Sequence, residues 1–241
     1  MPINPERSLI ISYLSMRRLI GGLGILLPLI VVMGGVLFGR TELQGSISGY
    51  YYTNMRDCFV GILSGVAFFL LSYKGYERVD DVVANLGGVF ALGMIIFPTS
   101  MFSGQPVKVG VFLLTDDVSE LLHVSFGGLF FLALSFISLF LFTRHSPGLI
   151  GKEKRRRNFI FRACGIVMLL AITCIAIYTA FLRSTFLTAY YPVLILECVA
   201  LFAFGISWIV KGNTLFKDQK YVDQLIRKPS RIRALYEALN E

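Results

Sequence analysis

From Leu19 to Gly39 the chain runs for twenty-one residues without a charge. At a rise of about 1.5 Å per residue, a helix of that length covers roughly 30 Å, the thickness of a bilayer's hydrocarbon layer. Five further runs have the same character: Cys58 to Tyr73, Val82 to Phe102, Leu121 to Thr143, Phe161 to Leu182 and Tyr190 to Val210. Only two charged residues, Arg162 and Glu197, fall inside the six runs. The pattern predicts an all-α fold, a polytopic bundle of six transmembrane helices spanning residues 1–212. A second segment, 213–241, forms a basic cytoplasmic tail.

Composition agrees with this reading. Charged residues make up 16% of the chain and hydrophobic ones 55%, whereas soluble domains carry about a quarter charged residues. The run from Leu19 follows Arg17-Arg18, as the h-region of a signal peptide would. It is too long for one, and no small-residue cleavage site follows, so a retained anchor is expected.

Charge placement sets the direction of threading. Nineteen of the 23 Lys and Arg residues lie in the N-terminal segment, the second and fourth loops and the tail. The other face holds only Arg40, Arg56, Lys108 and Arg183. Basic residues gather on the cytoplasmic side, which places both termini there and the chain in the cell membrane. The net charge of +8 is therefore a topology signal, and no nucleic-acid partner is expected.

Apolar surface gives no driving force between helices in lipid, so close packing at small residues must hold them together. Gly21, Gly22, Gly24, Gly34 and Gly35 mark the first run, Gly61 and Gly65 form a GxxxG in the second, and Gly87, Gly88, Gly93, Gly127 and Gly128 follow. Such faces suit contacts within one chain or a homo-oligomer. In the tail, Val222, Leu225 and Ile226, then Ile232, Leu235, Tyr236 and Leu239 after Pro229, predict amphipathic helices lying on anionic lipid or docked on the bundle. The four cysteines (Cys58, Cys164, Cys174 and Cys198) have no metal or redox spacing and are expected as buried free thiols.

The predicted outer face concentrates polar chemistry. Its first loop carries Ser48, three consecutive tyrosines ending at Tyr52, and Arg56-Asp57; its third loop ends with Asp116, Asp117, Glu120 and His123. The tyrosines there, with Tyr190 and Tyr191, suit an interfacial belt. Glu197 lies about two turns inside the sixth run and needs a partner, because a charge within the membrane is costly. His123, Arg56, Tyr178 and Thr173 are the candidates. Ser48, Tyr52, Arg56, Asp57, Glu120, His123 and Glu197 are accordingly the candidate ligand-binding residues, for a lipid headgroup or a small polar ligand. No catalytic set is complete, and neither a metal nor a cofactor is expected. Membrane lipids are the expected partners.

One stretch reads Ser46-Ile-Ser-Gly-Tyr-Tyr-Tyr-Thr followed by Arg56-Asp-Cys-Phe-Val-Gly61. Tyr73-Lys-Gly-Tyr76, Asn85 with Gly88, Phe97-Pro-Thr, His123 and Phe204-Gly-Ile-Ser-Trp-Ile-Val-Lys-Gly212 come after it. Together they resemble a group of bacterial six-span membrane proteins of unknown function, and more distantly the DRAM-like six-span proteins. The resemblance implies a fold and no activity. Two alternatives come from other classes. A small proton-coupled transporter would use Glu197. A metal-dependent hydrolase similar to the alkaline ceramidases would use Ser48, Asp57 and His123. With only His123 and His145 in the chain, a three-histidine zinc site is impossible. A carboxylate-rich one from His123 with Glu120, Asp57 or Glu197 is the remaining form.

Overall fold

The structure is a computed structural model that describes residues 5–75, 77–100, 110–144, 152–183 and 185–212, with side chains from residue 14 onward. The expected tail segment 213–241, His145 and Lys108 lie outside the described residues.

Among the described residues six α-helices carry the fold: α1 (Pro5–Leu37), α2 (Arg56–Leu71), α3 (Arg78–Ile96), α4 (Asp116–Phe136), α5 (Lys152–Ile177) and α6 (Pro192–Lys211). α4 and α5 each continue into one π-helical turn, Ile137–Leu141 and Tyr178–Leu182. Five of the helices (all but α2) are long and apolar enough to cross a membrane. Each helix packs along the next in the chain, and α6 returns against α1, so the six close into a ring.

α2 has 16 residues, about 24 Å at helical rise, yet it extends the height of the bundle. Before it, the ring of Tyr50 packs at Gly35 near the top of α1. After it, the Tyr73 hydroxyl accepts a hydrogen bond from Arg17 at 2.9 Å. Residues 17 and 35 are eighteen apart on α1, about 27 Å. The bundle therefore has one end carrying the 3₁₀ turn Ser48–Tyr52 and an opposite end carrying Arg17, Tyr73 and Lys211.

Several helix limits depart from the apolar runs for local reasons. α3 stops at Ile96 rather than Phe102 because Pro98 has no N–H to continue the ladder. α5 begins at Lys152, nine residues before Phe161, because lysine, arginine and glutamate are good helix formers. α1 likewise begins well before Leu19. Asp80 and Asp81 do more than complement the dipole of α3. Asp80 closes a capping box with Glu77 and pairs with Arg144 at 3.3 Å, and Asp81 accepts the Gly75 N–H at 2.7 Å.

The small residues sort by distance. α2 does not use its GxxxG tightly: a Cβ on Gly61 would meet nothing within 4 Å, and one on Gly65 would only touch Leu23. The close crossings include Gly21 and Gly24 of α1 against Gly205 and Phe204 of α6, Gly88 against α2, Gly93 against Phe126, and Gly165 against Leu139. The cysteines also differ from expectation. Cys164 is buried, but Cys58 and Cys174 sit on the exposed surface of α2 and α5.

Candidate functional site

The seven predicted residues do not converge on one pocket. They divide into two sets of structural ties at the 3₁₀ end and one exposed pair.

The first tie is built on Glu197. Its Oε2 accepts the backbone N–H of Ile47 at 2.5 Å. Ser48, immediately after it, is buried. One turn earlier on α6, the Leu194 N–H donates to the Gly45 carbonyl at 3.1 Å, so a first-turn donor of α6 finds its acceptor in the loop. The partners anticipated for Glu197 are engaged elsewhere. The Tyr178 hydroxyl bonds Thr188, Thr173 bonds back to Leu169 within its own helix, and neither Arg56 nor His123 is hydrogen-bonded to it. Glu197 is a clasp between α6 and the loop backbone. Beside it lies a cavity of about 20 Å³ lined by Ser48, Phe59, Leu63 and Phe130 among others. A water needs roughly 10–15 Å³, so this space admits one water and no headgroup.

A variant pair separates clasp from charge. Glu197→Ala removes the acceptor and leaves a buried N–H unsatisfied, which costs about 1–3 kcal/mol. Glu197→Gln keeps an oxygen where the carboxylate stood. Thermal unfolding in mild detergent is expected to show the alanine variant clearly weakened and the glutamine variant close to the parent. Equal losses in both would sink the clasp.

The second tie joins α3, α4 and the 3₁₀ turn. Pro98 cannot donate to the Met94 carbonyl, the usual i to i−4 bond. His123 Nδ1 lies 3.0 Å from that oxygen and 2.8 Å from the Phe97 carbonyl. With two acceptors facing it, Nδ1 carries the proton and replaces the donor that proline lacks. One turn earlier, Ser119 donates to the Pro98 carbonyl at 2.6 Å. Glu120 accepts from Thr99 Oγ1 at 3.0 Å and from the Ser100 N–H at 2.6 Å. Tyr52 donates to the Thr99 carbonyl at 2.6 Å. Burial, reinforced by the Asp116 and Glu120 carboxylates, pushes the Tyr52 phenol up to about 12, so it stays a donor at any physiological pH.

The aromatic belt is also partly reassigned. Tyr50 and Tyr51 are buried and hold the turn, whereas Tyr190 and Tyr191 are exposed as a belt requires. Arg56 and Asp57 are exposed in the first turn of α2. Arg56 does not pair with Asp57. Its Nη2 donates to the Tyr51 hydroxyl at 2.7 Å, and its guanidinium carbon stands 4.4 Å from the centre of that ring.

Among the described residues no three His, Cys, Asp or Glu side chains come together, and His123 is committed to the end of α3. The carboxylate-rich zinc site has no geometry to support it there.

Sequence reasoning missed a basic pocket at the opposite end. A pocket of about 220 Å³ lies between α1, α5 and α6, lined by Arg17, Lys154, Arg157, Asn158 and Lys211. Helical phase was the available signal. Arg17 shares the buried stripe of Ile20, Leu27 and Val31, and Lys211 that of Phe204 and Trp208, so both cations point inward rather than to solvent. Compared with known proteins, the chain matches no family model, no curated sequence and no solved structure.

Proposed function

We propose that this is a non-enzymatic, six-span protein of the cell membrane with both termini cytoplasmic, and that its outer end engages a lipid headgroup or small anion through Arg56. The apolar length of five helices and the full-height course of α2 support six crossings. The gathering of nineteen Lys and Arg residues on one side supports the orientation. The 3₁₀ turn Ser48–Tyr52 then faces outward and the Arg17–Lys211 end faces the cytoplasm.

The observation that carries the ligand reading is the state of Arg56. It is exposed at the start of α2, fixed by the ring and hydroxyl of Tyr51, and has no ion pair to a carboxylate among the described residues. A guanidinium offers five donors in a rigid fork suited to phosphate. Stacking on Tyr51 restrains it, so less conformational freedom is lost on binding.

Native mass spectrometry of protein released from gentle detergent tests this. The parent protein is expected to retain phospholipid, and Arg56→Gln to retain about tenfold less, the scale of a hydrogen-bonded charge contact. Arg40→Gln, on the same face, serves as control. Equal retention by all three proteins would refute a headgroup site at Arg56.

A further inference from the structure

The cations of α5 do not all face the bundle. Lys152, Arg155 and Arg162 are exposed, and so are Phe159, Ile166 and Leu170. Steps of three and four residues separate these positions, so all six lie on one face of the helix. The face runs from three cations and a phenylalanine into apolar surface, and none of its residues is acidic.

The depth of this stripe follows from the chain. The twenty residues between Arg162 and Arg183 carry no charge. As a helix they cover about 30 Å, a full hydrocarbon thickness. Arg162 therefore stands where α5 leaves that layer. It follows Phe161, whose ring lies 5.4 Å from Phe142, and the Phe142 carbonyl accepts from Lys211. The stripe thus emerges at the Arg17–Lys211 end, while Ile166 and Leu170 carry the same face into hydrocarbon. Beyond Arg162, Phe159 lies about 4–5 Å further out and Arg155 about 10 Å. The headgroup layer of one leaflet is about 5–8 Å deep, so the two guanidiniums bracket it. Helical side chains lean toward the N-terminus, which on α5 turns Arg162 toward the headgroups, and its long stem carries the charge there.

None of Lys152, Arg155 and Arg162 forms an ion pair with a described residue. Glu153 is the acid nearest in sequence. It pairs with Arg156 at 3.5 Å, and it does not share a face with Arg155, two residues on. An exposed arginine in water needs no partner. One on a lipid-facing stripe at the hydrocarbon edge does, because a charge there is costly unless it is paired.

We propose that this stripe of α5 binds anionic phospholipid. Arg162 and Arg155 take the phosphate from its two sides, Phe159 sits between headgroups, and Lys152 adds attraction from the water side. A choline headgroup cancels the charge of its own phosphate, so three cations without a carboxylate favour a lipid of net negative charge. The proposal rests on α5 crossing the membrane, as proposed above, and not on Arg56, which lies at the other end of the bundle.

The test uses the full chain in vesicles. Ile166→Trp places a reporter on the stripe one turn from Arg162, and the buried Trp208 gives a background measured in the parent protein. The vesicles are phosphatidylcholine with the same fraction of dibrominated phosphatidylglycerol or dibrominated phosphatidylcholine, whose bromines quench a tryptophan they touch. Phosphatidylglycerol is expected to occupy the stripe about fivefold over phosphatidylcholine, the scale of one cation at an anionic surface. Raised salt is expected to reduce the preference. Adding Arg155→Gln/Arg162→Gln is expected to make the two lipids quench equally, whereas Arg155→Lys/Arg162→Lys keeps most of the preference. Leu132→Trp, at an exposed position of α4, is expected to show no preference. Equal quenching by both lipids in the Ile166→Trp protein overturns the proposal. So does a preference that survives the glutamine pair, or one that Leu132→Trp shows equally. Quenching by neither lipid overturns the crossing of α5 itself, and the stripe with it.

Discussion

Gly205→Ala is expected to lower the unfolding temperature in mild detergent by about 5–10 °C, the shift that an overpacking cost of about 2–3 kcal/mol produces in a chain of this size. α1 and α6 close the ring, and at their crossing the two backbones touch. A Cβ on Gly205 would lie 2.6 Å from the Gly21 carbonyl oxygen and 2.5 Å from Ile25 Cγ1. A Cβ on Gly21 would lie 2.6 Å from the Gly205 carbonyl oxygen. In each case the main obstacle is backbone, which no rotamer change can remove, so the helices must separate. Separation forfeits the close packing on which association in lipid depends. Gly21→Ala is expected to behave alike. Gly22→Ala and Gly61→Ala meet nothing within 4 Å and should unfold with the parent protein. A Gly205→Ala variant as stable as Gly22→Ala would refute the crossing.

That contrast also explains how far the sequence could be read. The six apolar runs were readable because hydropathy integrates over some twenty residues, and a single misjudged position cannot hide a helix. Which glycines make contact was not readable. Gly61 and Gly65 have the familiar spacing and little to touch, whereas Gly205 has no small partner four residues away and makes the closest approach to another helix's backbone. The decisive quantity is the helix's rotation about its axis, which depends on its neighbours. The limits of α5 were missed because the lysines and arginines before Phe161 are as helical as the apolar residues after it.

The polar residues at the 3₁₀ end lie at one end of the bundle, but their partners could not be foreseen. Glu197 holds the Ile47 N–H, His123 the Met94 and Phe97 carbonyls, Glu120 the Ser100 N–H, and Tyr52 the Thr99 carbonyl. These partners are backbone atoms, and every residue type supplies those alike. Only the His123 tie left a trace, since Pro98 announces a missing donor that something must replace. The basic pocket was hidden for a different reason. Lys and Arg at the cytoplasmic ends of helices are expected on topological grounds, so Arg17, Lys154, Arg157 and Lys211 looked fully explained. Their helical phase was the part that topology left unexplained.

Trp208→Ala should be the most damaging side-chain truncation, and it should loosen the Arg17–Lys211 end as well as the core. Trp208 is fully buried with its ring 5.2 Å from Tyr73, 5.2 Å from Phe142 and 6.1 Å from Phe204. Removing a buried tryptophan costs about 3–5 kcal/mol, through lost contacts and the cavity left behind. Two of those neighbours also position the cations: the Tyr73 hydroxyl accepts from Arg17, and the Phe142 carbonyl accepts from Lys211. Once Trp208 is gone, both rings gain room to move, and Arg17 and Lys211 lose their fixed positions. Stability in mild detergent is therefore expected to fall in Trp208→Ala and to be partly restored in Trp208→Phe, which keeps a ring in the gap. Leu70→Ala provides the comparison, being a fully buried truncation that costs about 2–5 kcal/mol at such a site but removes no aromatic ring. Trp208→Ala is expected to unfold at the lower temperature of the two. A Trp208→Ala variant no less stable than Leu70→Ala, with no recovery in Trp208→Phe, would refute the part given to the aromatic cluster.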